Sequence, residues 1–192
     1  TGYGMTLGNS LRRVLLSSIA GASVVAFKIE GITHEFTSVE GVKEDVVDIL
    51  LNLKNVHINV FTDEPVELRI EKKGAGVITA GDIKANSDVE IVNPDQIIAT
   101  IDDPKKSVVI DLVAESGRGY RTIEESSVSR VHSDHIALDA VFSPVLRVRF
   151  KVDGTRVGQE TNLDKLSVTV ETDGSVTPRA AFEEAAAILV TQ

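Results

Sequence analysis

The chain has no cysteine and no tryptophan, and only 4% of its residues are aromatic. Without cysteine there can be no disulfide and no thiolate metal site, which fits a reducing compartment. No apolar run approaches the roughly 20 residues of a bilayer-spanning helix, so no membrane role is expected. Basic charge is also scarce. Lys and Arg number 20 against 29 Asp and Glu, a net charge of −9. Non-specific nucleic-acid binding depends on neutralising phosphates with lysine and arginine. Direct DNA binding by this chain is therefore not expected. No signal peptide is visible, and position 1 is threonine where a natural protein begins with methionine. A fragment of a longer protein is the expectation.

What is present is ordinary for a globular protein: 42% apolar and 26% charged residues over 192 positions. That length buries one good core or two small ones. The first helical pattern spans Leu7 to Ile19, with Leu7, Leu11, Val14, Leu15 and Ile19 on one stripe. Ser23 to Glu30 alternates as a strand. A second helix is predicted from Val42 to Lys54, with Val46, Ile49, Leu50 and Leu53 as its apolar stripe. Alternation then gives strands over 56–61 and 66–70, and further strands at 89–92, 97–101, 108–113, 136–142, 145–152 and 166–171. Gly117-Arg118-Gly119-Tyr120 reads as a loop, and 122–134 as a long polar excursion. Thr177 as N-cap and Pro178 at the first helical position start a last helix. Its stripe is Phe182, Ala185, Ala186 and Leu189, and no C-cap is visible. Helices near both ends with strands between make an α+β chain and not an alternating βαβ series.

Candidate chemistry is sparse. Gly2, Gly4 and Gly8 invite a phosphate-loop reading. Their spacing fits neither the dinucleotide nor the Walker pattern, and tight packing of a turn also needs glycine. His132 and His135, three apart, could share a helix face as metal ligands, but their segment lacks helical periodicity. They read as solvated loop histidines, and no metal is expected. The carboxylate pairs Asp102-Asp103, Glu124-Glu125 and Glu183-Glu184 are adjacent in sequence, so they do not converge on a helix or strand face. No catalytic residue and no cofactor is expected. Arg12 and Arg13 stand apart. They sit in an apolar helix with no acidic residue nearby in sequence, and arginine is favoured where chains meet.

The glycine-rich start and Leu7-Gly8-Asn9 with Leu11-Arg12-Arg13 resemble the signature of the α subunit of bacterial RNA polymerase. So do His34-Glu35-Phe36, Glu40-Gly41-Val42-Lys43-Glu44-Asp45 and Leu50-Leu51-Asn52-Leu53-Lys54. Asp88-Val89-Glu90-Ile91-Val92, Gly117-Arg118-Gly119-Tyr120, Ser143-Pro144-Val145 and Thr161-Asn162-Leu163-Asp164-Lys165-Leu166 continue the match in order to the C-terminal part.

The resemblance implies a two-domain α+β fold. A discontinuous dimerisation domain would span 1–20 and 145–192, and an inserted, mostly β domain 21–144. It implies a homodimer that recruits the β and β′ subunits as a non-catalytic scaffold for transcription, in the cytoplasm and associated with the nucleoid through the polymerase. Arg13, with Arg12 and Leu16, would face β. Lys54 and Leu138 would face β′. Leu7, Leu11, Val14, Leu15, Phe182, Ala185, Ala186 and Leu189 would carry the dimer interface. Two alternatives remain beside it. One is a small α+β enzyme that holds a phosphorylated ligand on the Gly2–Gly8 turn. The other is an archaeal or eukaryotic-type relative that heterodimerises.

Overall fold

The computed structural model describes residues 3–34, 36–123, 134–158 and 160–191. In chain order these form α1 (Tyr3–Ser17), β1 (Ala20–Ile29), α2 (Val46–Lys54), β2 (Ile58–Val60), β3 (Val66–Lys73) and β4 (Gly76–Thr79). Next come β5 (Val89–Ile91), β6 (Ile97–Ile101), β7 (Ser107–Arg118), β8 (Tyr120–Arg121), β9 (Ile136–Ala137) and β10 (Ala140–Val141). The long strands β11 (Val145–Val157) and β12 (Glu160–Thr172) and the helix α3 (Pro178–Val190) finish the series. The fold class is α+β, as the periodicities predict.

Two compact units divide the described residues. One takes in the segments up to Ala20 and from Ser143 onward, and the other runs from Gly21 to Phe142. In the first, β11 and β12 pair antiparallel, with Phe150 opposite Val168 and Val152 opposite Leu166. The two helices α1 and α3 pack on this hairpin and on each other. Leu11, Val14, Leu15 and Ile19 bury their side chains with Val145, Val148, Ala181 and Ala185. α3 begins as predicted: the Thr177 hydroxyl accepts from the Ala180 amide at 3.0 Å, with Pro178 next. Its other end is closed by Thr191, whose hydroxyl donates to the Ile188 carbonyl at 2.9 Å. That corrects the expectation of an uncapped end.

In the second unit a four-stranded sheet has the order β3-β7-β1-β9, and β2-β5, β4-β6 and β10-β8 form antiparallel pairs. β3 shows why: Val66, Leu68 and Ile70 are buried while Glu67, Arg69 and Glu71 alternate outward, the period of a half-buried strand. α2 starts at Val46 and not at Val42. The Asp45 side chain caps it by accepting from the Asp48 amide at 2.8 Å, so the four residues before it remain outside the helix. Val46, Ile49 and Leu53 then enter a core shared with Ile58, Ile98 and Ile101. The predicted loop at Gly117-Arg118 is instead the end of β7. The turn is confined to Gly119, at φ +65°, a left-handed conformation that favours glycine. The expected strand over 136–142 is broken into β9 and β10, because Leu138 donates its amide to Val25 at 2.9 Å while Phe142 donates to Gly119 at 2.8 Å.

Candidate subunit interface

From Tyr3 onward the glycine-rich start is helix, not turn, and Gly2 lies outside the described residues. α1 runs from Tyr3, so Gly4 and Gly8 fall inside it and are buried. Gly4, Gly8, Leu11 and Leu15 recur at helical spacing and make one face, which lies on the β11–β12 hairpin. A side chain at Gly4 would meet Val152 Cγ1 at 2.9 Å, and one at Gly8 would meet the Phe150 ring at 2.6 Å. The glycines are thus required by close approach of helix to strand. The amide of Gly4 donates to Asp164 Oδ2 at 3.0 Å. A carboxylate of the chain itself already fills this helix N-terminus, where a phosphate would have bound. The phosphate-loop alternative loses its anchor there.

Opposite the glycine face α1 presents Arg13, while Arg12 lies about 100° round the helix on the flank next to Gly8; both are exposed. Among the described residues neither guanidinium forms an ion pair. The two arginines line an open groove with Asn9, Ser10, Leu16 and Ser17. Leu16 is half-buried, packed against the core below while it borders the groove above. The Ser17 hydroxyl donates back to the Arg13 carbonyl at 2.6 Å, the i−4 bond that serine makes within a helix. A planar cation with five donors beside a partly exposed leucine suits recognition of a partner chain.

The residues expected at a dimer interface separate into two groups. Leu11, Val14, Leu15 and Ala185 are 4%, 7%, 0% and 0% exposed. Their side chains fill the core of their own unit. The hairpin and α3 together supply enough apolar surface to bury the α1 stripe within one chain. Leu7 and Phe182 remain 40% and 38% exposed. Ala186 and Leu189, four and seven residues beyond Phe182, are half-buried on the same side of α3.

The pair expected to face β′ also divides. Lys54, in the last turn of α2, is exposed. Leu138 is 1% exposed and sits in the core of the second unit. Its side chain packs among the core residues of that unit. His135 is not solvated: its ring nitrogen Nδ1 lies 3.0 Å from Asp134 Oδ1, and its side chain is 12% exposed. His132, Glu124 and Glu125 lie outside the described residues. Among the described residues no three His, Asp or Glu side chains converge as a metal site. No described helix is long and apolar enough to cross a membrane.

Known proteins resemble this chain along nearly its whole length. The family model for the RNA polymerase Rpb3/RpoA insert domain matches residues 25–143. The DNA-directed RNA polymerase subunit alpha of Alkaliphilus metalliredigens is 50% identical over 188 residues, 98% of this chain and 59% of that protein. Its counterpart in Moorella thermoacetica is 47% identical over 189 residues, 98% of this chain and 60% of that protein. The one in Heliobacterium modesticaldum is 49% identical over 188 residues, again 98% and 59%. This chain belongs to the RNA polymerase α-subunit family. It spans about three fifths of the length of these α subunits.

Asp164 and Phe150 hold α1 from the hairpin side. Phe150 carries no sequence signal beyond its place in a strand. Gly4 and Asp164 each lie in a motif, but their contact has no local signal because 160 positions separate them.

Proposed function

We propose that this chain is a non-catalytic assembly scaffold of a DNA-directed RNA polymerase, which homodimerises and recruits the β and β′ subunits. The observation that carries the reading is the arginine face of α1. Two guanidiniums without an intrachain ion partner among the described residues stand on a helix that its own chain buries firmly on the other side. In this reading Arg13, flanked by Arg12 and Leu16, docks β. Arginines at interface centres often carry a disproportionate share of the binding energy.

Homodimerisation uses the part of the apolar surface that the chain leaves exposed: Leu7 on α1, and Phe182 with Ala186 and Leu189 on α3. Lys54 faces β′, and Leu138 supports that side of the insert from within its core. The chemistry of transcription belongs to the larger subunits, in the cytoplasm, and this chain contributes no direct DNA contact. The test is capture of β by the full-length protein, with the dimer followed by sedimentation. Arg13→Ala is expected to dimerise normally and to lose β. Arg13→Lys is expected to rescue poorly, since an ammonium lacks the planar fork. Normal capture by Arg13→Ala would overturn the assignment, and loss of the dimer together with β would move Arg13 to the dimer interface.

A further inference from the structure

Two family motifs at opposite ends of the chain meet at one atom pair. The amide of Gly4, in the first turn of α1, donates to Asp164 Oδ2 at 3.0 Å, and Asp164 stands on β12. The N-terminal half of α1 touches the hairpin through Gly4 and Gly8, whose missing side chains bring helix and strand close. A glycine face brings no side-chain ridges of its own, so the register of that half on the hairpin is set by the strand residues against it and by backbone hydrogen bonds. The interlocking side chains Leu11, Val14 and Leu15 all come later. Asp164 supplies what the glycine face lacks, a directional contact at the helix start, and its negative charge complements the positive end of the helix dipole.

We propose that Asp164 is a positioning residue: its hold on the Gly4 amide sets the rotation of α1 on the hairpin and so the direction in which Arg13 is presented to β. This rests on the proposed role of Arg13. The effect is transmitted along a single rigid helix, nine residues from Gly4 to Arg13, with no intervening loop.

The experiment titrates β against the full-length protein and its variants Asp164→Ala, Asp164→Asn, Gly4→Ala and the Asp164→Ala/Gly4→Ala pair, with Arg13→Ala as control. Dimer state and melting are followed in parallel. Asp164→Ala is expected to weaken β binding about tenfold, as when α1 presents Arg13 correctly in only about one molecule in ten, while dimerisation is kept. Asp164→Asn retains an oxygen acceptor for the amide and is expected to restore most of the binding. A methyl at Gly4 would sit 2.9 Å from Val152 Cγ1 and 3.1 Å from Asp164 Oδ2, so Gly4→Ala should displace the first turn and weaken binding in the same direction. The double variant should lose no more than the worse single one, the non-additivity of a shared contact. Asp164→Ala binding β like wild type while Arg13→Ala does not would overturn the inference and leave the reading of Arg13 intact. So would loss of β binding in Asp164→Ala that only tracks a lower melting temperature and a lost dimer. If Arg13→Ala binds normally, the reading of Arg13 itself falls, and this inference with it.

Discussion

Gly8 lies directly against the ring of Phe150: a methyl group added at Gly8 would come 2.6 Å from Phe150 Cδ2. Two effects oppose each other in Gly8→Ala. Alanine gains about 1 kcal/mol of helix propensity over glycine, and overpacking costs about 1–3 kcal/mol. At 2.6 Å the ring has to move, so overpacking wins. Gly8→Ala is expected to lower stability by about 1 kcal/mol net in calorimetry. Phe150→Leu in the same chain should recover part of that loss. Stabilisation by Gly8→Ala alone would show that the ring gives way freely.

Leu15 and Phe182 separate folding from association. Leu15 is fully buried, so Leu15→Ala is expected to destabilise the protein by about 2–5 kcal/mol. Phe182→Asp alters a partly exposed position. Its fold, by circular dichroism, should persist while sedimentation shows monomer. A dimeric Phe182→Asp protein would exclude this face of α3 from the interface.

Lys54 and Leu138 separate in the same way. Lys54→Ala should melt within about 0.5 kcal/mol of wild type, as surface substitutions do, yet bind β′ more weakly. Leu138→Ala should lose about 2–5 kcal/mol because it opens a cavity in the core. Thermal unfolding and β′ capture, measured on both variants, read the two outcomes. Unchanged stability in Leu138→Ala would contradict its burial.

Asp134 gives a pH dependence. Its carboxylate receives Lys28 Nζ at 2.9 Å and lies beside the His135 ring. The hydrogen bond from Lys28, then that from His135, holds its pKa well below the ordinary 3.8. A folded-state pKa below the unfolded one means that the contribution is complete above the ordinary value and is lost as the pH falls through the depressed one. Denaturant titrations of wild type and Asp134→Asn should therefore differ by a constant amount at neutral pH. The gap should close at pH values below 3.8. A gap that widened in acid would reverse the assigned sign.

Much of the fold was legible because local chemistry agreed with it. Thr177 caps α3 where such a residue is favoured, and the alternation of Val66, Leu68 and Ile70 matches the pleat of β3. The boundaries that failed had distant causes. The start of α1 was read as a turn because glycine lowers helix propensity. Contact with Val152 and Phe150 overrides that weak preference. β11 and β12 run longer than their apolar alternation, since pairing with each other continues the ladder to Val157 and Glu160.

By itself the sequence determined which residues could be apolar, where α3 starts, that Arg12 and Arg13 share a helix with a core stripe, and which family the motifs resemble. Those are properties of neighbours in the chain. Only the tertiary structure decided which apolar residues the chain uses up for itself. Leu11, Leu15, Ala185 and Leu138 vanish into cores, while Leu7 and Phe182 stay partly open. Burial depends on what lies above a residue, and that cover comes from segments more than a hundred positions away. The same holds for Asp164 and Gly4. A hydrogen bond has no footprint in sequence when its partners are brought together by the fold alone.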